Sequence, residues 1–133
     1  MWRKENCIQM QIEANVPKAT RMYVVPHEIR EVLINLIHNA VDAMSQGGQL
    51  NLKAFLDPAH ANHISLQVKD TGTGIPQPQL KKIFERFFTT KGGQGTGLGL
   101  AVSKEIVEKN EGQISVQSHS TGPAQGTTFT LLL

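Results

Sequence analysis

The apolar positions change period along the chain, and the changes mark out its elements. Ile8, Met10 and Ile12 alternate with Gln9, Gln11 and Glu13, which predicts a half-buried strand over Cys7–Glu13. Arg21–Val25 is a second short strand candidate. Pro26 then sits where a missing N–H costs nothing, in a first helical turn. From there Ile29, Val32, Leu33, Leu36, Ile37, Ala40, Val41 and Met44 recur at three- and four-residue steps. They form one core-facing stripe and predict a helix over Pro26–Ser45, stopped by Gly47-Gly48. Gln49–Leu56 and His63–Lys69 alternate like two antiparallel strands joined through Asp57-Pro58. Gln77–Phe84 is a short helix candidate, and Thr89–Gly97 is a long glycine-rich loop. Leu98–Asn110 is a helix ended by Asn110-Glu111-Gly112. Gln113–Ser118 and Thr127–Leu133 close the chain as a strand pair around Gly122-Pro123. The order β-β-α-β-β-α-α-β-β predicts an α/β (α+β) two-layer sandwich. Its sheet is mixed, mostly antiparallel, and covered on one face by about three helices.

Bulk properties narrow the functional classes. With 133 residues the chain is read as one domain, 1–133, without repeats or linker. A net charge of +2 and the lack of a basic run argue against a nucleic-acid partner. The single Cys7 excludes an internal disulfide and suits a reducing, cytoplasmic setting. No apolar run approaches the ~20 residues of a membrane span, so no direct membrane contact is expected.

Four segments carry candidate chemistry. Residues 92–101 hold five glycines among ten residues and run into the second long helix. Glycine lets an anion approach the backbone, and the bare N–H groups of a first helical turn attract it. A simple flexible hinge is an equally ordinary reading. On the first helix, Glu31, Asn35, Asn39 and Asp42 line up beside the apolar stripe. Asparagine gains nothing there from propensity, whereas a carboxamide oxygen suits Mg²⁺ together with phosphate oxygens; a solvated helix face is the plainer alternative. Asp70-Thr71-Gly72-Thr73-Gly74-Ile75-Pro76 follows a strand, and a carboxylate there can accept from an exocyclic amine. The segment also fits an ordinary turn. Gln77 stands where a dinucleotide fingerprint needs glycine, and no Gly-Lys-Ser/Thr forms a Walker A loop. Ile83–Lys91 packs three of the five phenylalanines beside Arg86 and Lys91. Gly126-Thr127-Thr128-Phe129 opens the last strand, where Thr127 can reach a ligand edge or simply favour the strand.

Taken in order, these segments resemble a known family. Asn35-Leu36-Ile37-His38-Asn39-Ala40, Asp70-Thr71-Gly72-Thr73-Gly74, Phe84-Glu85-Arg86-Phe87-Phe88 and Gly95-Thr96-Gly97-Leu98-Gly99-Leu100 look like the N, G1, F and G2 boxes of sensor histidine kinases. The match spans roughly residues 20–133, and Phe88-Thr89-Thr90-Lys91 is most like nitrogen-regulation-type members. The resemblance implies the catalytic ATP-binding domain with the Bergerat fold of the GHKL superfamily, separate from phosphoacceptor and sensor domains. It implies ATP and Mg²⁺, with Asn39 holding the metal and Asn35 beside it. Asp70 would bind the adenine amine, with Gly72, Gly74 and Ile75 shaping its pocket and Thr127 closing it. Lys91, Gly95, Thr96, Gly97, Leu98, Gly99 and Leu100 would hold the phosphates as an ATP lid, and Arg86 or Lys91 would stabilise the transferring phosphoryl. The implied partner is a histidine-bearing dimerisation/phosphoacceptor domain and, through it, a response regulator. The isolated domain is expected to be monomeric and inactive in autophosphorylation.

Departures from the family pattern matter. Gyrase-like relatives place a glutamate one turn before the metal asparagine. Asn35 occupies that position and is a poor general base, so slow hydrolysis is expected. Val25-Pro26 replaces the family's frequent Asp-Pro, removing a cap worth about 1 kcal/mol. His27-Glu28-Ile29-Arg30 resembles the start of a phosphoacceptor motif, but Glu31-Val32 replaces Asn-Pro, and His27 is read as an exposed first-turn residue. His38, His60, His63 and His119 lack metal-ligand spacing and are read as surface residues. Two other classes stay open: a stand-alone anti-sigma-factor-type serine kinase of the same fold, and a nucleotide-responsive interaction module.

Overall fold

The computed structural model describes residues 7–88 and 99–133. Within them, five strands and three helices follow the order β1 (Ile8–Asn15), α1 (Pro26–Ala43), β2 (Gly48–Leu56), β3 (Ile64–Asp70), α2 (Gln77–Leu80), α3 (Gly99–Lys109), β4 (Gln113–His119) and β5 (Gly126–Leu132). The strands form one mixed sheet, β1-β2-β3-β5-β4. β1 and β2 are parallel, which requires a crossover connection, and α1 supplies it. The remaining pairings are antiparallel.

The apolar stripe of α1 makes the core. Val32, Leu36, Ala40 and Met44 pack with Leu50 of β2, Val68 of β3, and Phe129 and Leu131 of β5. Val107 of α3 and Ile83 complete the cluster. These strand residues share one pleat phase, so the sheet presents one apolar face to the helices. The opposite phase is polar, with Asn51, Lys53, Gln67, Lys69, Gln117 and Thr128 lining a shallow groove on it.

The two long helices are tied end to end. Val25, the N-cap of α1, makes no side-chain cap bond. Its N–H instead donates to Asn110 Oδ1 at 2.8 Å, just past the C-terminus of α3. Asn110 Nδ2 donates to Glu28 Oε1 at 3.1 Å, and Lys109 Nζ donates to Glu28 Oε2 at 2.7 Å. Glu28 lies in the first turn of α1 and Lys109 in the last turn of α3, each favourable to its helix dipole. The start of α1, which has no side-chain cap, is thus anchored from a distant part of the chain.

Three expectations need correction. β1 is not half-buried: Met10 is 53% and Ile12 is 70% exposed. It is one of the two edge strands, and unlike β4 its alternating residues lie beyond the core cluster, with Ile8 alone of them packing against it. Arg21–Val25 forms no strand; Tyr23 is 98% exposed, and the segment has neither a partner strand nor a buried face. The helix expected over Gln77–Phe84 is a single turn. Pro76 and Pro78 lie before and within its first turn, where proline is tolerated, and the α pattern ends because the backbone bonds beyond Leu80 span three residues rather than four. The chain then continues in tight turns, with Lys82 N–H on Gln79 O, Glu85 N–H on Lys82 O and Phe88 N–H on Glu85 O.

Candidate functional site

Asp70, Thr127 and Ser118 form one cross-strand row over β3, β5 and β4. The next row on the same face is Val68, Phe129 and Val116. Three polar residues therefore occupy the end row of an otherwise apolar face, and all three are buried. Asp70 is only 4% exposed. Its Oδ1 accepts the Gly72 N–H at 2.8 Å and the Thr127 N–H at 3.2 Å. Burial pushes its carboxyl above the ordinary carboxylate value, and the two N–H groups pull it partly back. Among the described residues neither bond uses Oδ2, which leaves an acceptor for an incoming donor.

The glycines after Asp70 are required by close packing. A Cβ at Gly72 would lie 2.5 Å from the Ala43 carbonyl oxygen at the end of α1. Thr73 N–H donates to that same oxygen at 3.1 Å. Gly74 has φ +74° and presses against the His119 carbonyl, leaving no room for a side chain. Ile75 N–H then donates to Ser118 Oγ at 2.7 Å. The loop is thus fastened to α1 on one side and β4 on the other.

A second group lies further back along α1. Asn35 Nδ2 donates to Ser103 Oγ at 3.0 Å, and Ser103 is buried in α3. A Cβ on Gly99 would fall 2.7 Å from Asn35 Oδ1. The first turn of α3 therefore rests directly on Asn35, with Leu100 half-buried behind it. Asn39 is half-buried one turn further on. From Asn35 to Ala43 the helix advances about 12 Å. One end of this line meets the N-terminus of α3, and the other meets the loop carrying Asp70.

Arg86 stands apart from both groups. It is over half exposed and forms an ion pair with Glu105 on α3. Phe84 packs edge-on against Phe129, with ring centroids 6.4 Å apart, and Lys104 Nζ lies 5.7 Å from the Phe84 centroid. Phe87 has φ +67° and is 72% exposed. Lys91, Gly95, Thr96, Gly97 and Leu98 lie outside the described residues. His27, His38, His60 and His119 are exposed, and His63 is half-buried.

The chain matches the model of the histidine kinase-, DNA gyrase B- and HSP90-like ATPase family over residues 24–133. The chain belongs to this family. Among its relatives is sporulation kinase E of Bacillus subtilis (strain 168), 35% identical over 126 residues and covering 95% of the chain. The chain spans 16% of that relative's length. Among solved structures, a mycobacterial sensor histidine kinase, MprB, superposes with a TM-score of 0.80 at 26% identity, covering 98% of this chain and 83% of that one. The catalytic domain of histidine kinase ThkA gives 0.78 at 29%, covering 98% and 81%. The α/β sandwich is therefore the fold of histidine kinase catalytic domains, and the family description supports ATP as the nucleotide. These relatives do not favour the serine-kinase alternative.

Ser118 is the site residue that motif reading misses, although a signal was present. Ile114 and Val116 set the inward phase of β4, and Ser118 occupies the next inward position. Asp70 after Val68 and Thr127 before Phe129 break the inward phase in the same way. A polar residue at an inward strand position needs an internal partner, and all three find one here.

Proposed function

We propose that residues 1–133 act as the catalytic ATP-binding domain of a sensor histidine kinase. The domain transfers the γ-phosphoryl of ATP to a histidine on a separate dimerisation/phosphoacceptor domain, which passes it on to a response regulator. The observation that carries this reading is the arrangement along α1. The buried Asp70–Thr127 row lies at one end, and the glycine-led N-terminus of α3 rests on Asn35 at the other. The first end suits an aminated ring, because Asp70 offers a carboxylate oxygen in a desolvated setting. The second suits phosphates, because backbone N–H groups at a helix start favour anions. Gly99 and Leu100 belong to that start, and Lys91, Gly95, Thr96, Gly97 and Leu98 are assigned to the lid that precedes it. Gly72, Gly74 and Ile75 hold the loop against the ring pocket.

The donor set fits Mg²⁺. Asn39 offers a neutral carboxamide oxygen in a half-buried position, and Mg²⁺ takes few protein ligands beside phosphate oxygens and water. When bound, the ion neutralises charge on the phosphates. Asn35 cannot serve as a general base, and its Nδ2 already holds Ser103. Its work is to seat α3 over the phosphate end, so the domain retains ATP for transfer rather than hydrolysing it. Arg86 reaches a phosphoryl group only by leaving Glu105. Its side-chain ion pair is over half exposed on both sides, so that release is inexpensive. The acceptor histidine is itself the nucleophile, and the domain contributes positioning and charge stabilisation.

The domain is expected to work in the cytoplasm, to be monomeric when isolated, and to need neither nucleic acid nor membrane. Incubation with γ-labelled ATP and Mg²⁺ beside a histidine-bearing helical hairpin domain tests the reading. Acid-labile label on the hairpin supports it. Acid-stable phosphoserine on a serine-bearing antagonist would support the serine-kinase alternative instead.

A further inference from the structure

The loop between β2 and β3 is built around Asp57 and carries two histidines. Asp57 Oδ1 accepts the Ala59 and His60 N–H groups at 2.8 and 3.0 Å, and Oδ2 accepts the hydroxyl of the buried Ser65 at 2.9 Å. Asp57 N–H donates to the His63 carbonyl at 2.9 Å, and His63 N–H donates to the His60 carbonyl at 3.2 Å. His60 and His63 are therefore the first and fourth residues of a tight turn, with Asn62 inside it at φ +65°. The turn brings the two rings together, with centroids 6.1 Å apart. Each ring is also held through one nitrogen. His60 Nδ1 lies 3.2 Å from Asp57 Oδ1, and His63 Nδ1 lies 2.9 Å from the Ala61 carbonyl oxygen. Hydrogen bonds, that from the Ala59 N–H foremost, hold the Asp57 carboxyl below its ordinary value and keep it ionised. Both partners can therefore only accept, so Nδ1 carries the proton in each ring. In the neutral imidazole the lone pair then falls on Nε2.

We propose that His60 and His63 form a binding site for a borderline divalent transition-metal ion such as Zn²⁺, with both Nε2 atoms as ligands and Asp57 as a positioning residue. Imidazole nitrogen suits such an ion, whereas Mg²⁺ prefers oxygen. A ligating histidine characteristically donates its other N–H to a carboxylate or a backbone carbonyl, and this loop holds one of each. Two imidazoles on one tetrahedral ion, with Zn–N of about 2.0–2.1 Å, have ring centres roughly 5 Å apart. A small rotation of the exposed His60 ring closes the difference. Among the described residues no group of three histidine, cysteine or acidic side chains could hold a metal ion, so the protein supplies two ligands and water the rest. The spacing of the two histidines does not single out the pair in the sequence, because the turn is what brings them together. β3 runs seven residues, about 20 Å, from this loop to Asp70. The site is therefore separate from the Mg²⁺ position beside Asn39, and the inference does not rest on the nucleotide-binding reading.

Zn²⁺ titration of the ¹⁵N-labelled full chain at pH 7.5, followed through its imidazole and amide resonances, tests the proposal. Before metal is added, the ring ¹⁵N shifts should report the proton on Nδ1 and a bare Nε2 in both histidines. Zn²⁺ should then shift both rings and the amides of residues 57–65, and Mg²⁺ at the same concentration should leave them in place. His60→Ala and His63→Gln should each abolish those shifts. His60→Ala removes an exposed side chain, so the proposal stays falsifiable if the His63 variant fails to fold. Asp57→Asn keeps a side-chain acceptor for the loop N–H groups while removing the charge behind His60. It should weaken Zn²⁺ binding about tenfold. Unchanged Zn²⁺ affinity in that variant overturns the positioning role of Asp57. No shift at residues 57–65 in 1 mM Zn²⁺, shifts that survive either histidine substitution, or a neutral ring with its proton on Nε2 overturns the site itself.

Discussion

Asp70→Asn separates the carboxylate's charge from its place in the fold. Asp70 Oδ1 accepts from Gly72 and Thr127, at 2.8 and 3.2 Å, and an asparagine carbonyl in the same rotamer can accept both. The other oxygen becomes an NH₂ group, which donates where the site needs an acceptor. The substitution removes a hydrogen bond to a charged group, a loss of about 1.5–3 kcal/mol, or roughly ten- to hundredfold in ATP affinity. Stability moves the other way. Asp70 titrates above the ordinary carboxylate value in the fold because it is buried. The folded state thus binds the proton more tightly than the unfolded chain. Its stability is fully present below the ordinary value of 3.8 and falls as pH rises through the elevated one. Once pH has risen through that elevated value, the native protein carries a desolvated charge that asparagine lacks. The variant should be at least as stable as the wild type at pH 7, with less dependence on pH across the acid range. Calorimetric titration with Mg-ATP and thermal melting from pH 3 to 8 measure both effects. Unchanged ATP affinity would refute the assigned role of Asp70. A variant that melts well below the wild type at pH 7 would refute the energetic argument.

Other substitutions probe the parts around the site. Gly74→Ala should destabilise the fold by about 2–4 kcal/mol, from the left-handed backbone and the collision with the His119 carbonyl. A urea midpoint within error of the wild type would contradict that packing. Glu28→Gln tests the clamp between α1 and α3. Hydrogen bonds from Lys109 and then Asn110 hold Glu28 below its ordinary carboxyl value of 4.5, so its contribution is present above that value and is lost as pH falls through the lowered one. The melting difference between wild type and variant should be present at pH 7 and close on acidification; a constant difference down to pH 3 would refute it. Basal ATP hydrolysis should be slow, and Asn35→Ala should not abolish a fast rate. A fast intrinsic ATPase lost in Asn35→Ala would show that Asn35 takes part in water attack.

Much of this architecture is legible in the chain because its segments are strongly periodic. The α1 stripe and the antiparallel alternations of β2–β3 and β4–β5 each dictate a buried face, and the fold supplies one. Alternation alone does not say whether a second layer covers the face it defines. Met10 and Ile12 have the correct period and still lie outside the packed cluster, at the sheet edge. Gln77–Phe84 carries a helical pattern, but beyond Leu80 the backbone bonds span three residues rather than four, and turns replace the helix. At the site, Asp70 and Thr127 are visible as motif residues. Ser118 belongs to no motif, because its role depends on strand register, which brings residues 70, 118 and 127 into one row. The link from Val25 to Asn110 crosses 85 residues, and no local pattern announces it.

Nucleotide is proposed to lie along α1 between the Asp70 row and the start of α3. Backbone amide spectra of the ¹⁵N-labelled chain, recorded with and without Mg-ATP, test it most directly. The largest shifts are expected on residues 70–75, Ser118, Thr127, Asn35, Asn39, Gly99 and Leu100. The polar outer face around Lys53, Gln67 and Gln117 should remain unchanged. Shifts concentrated on that outer face, or none at saturating Mg-ATP, would contradict it.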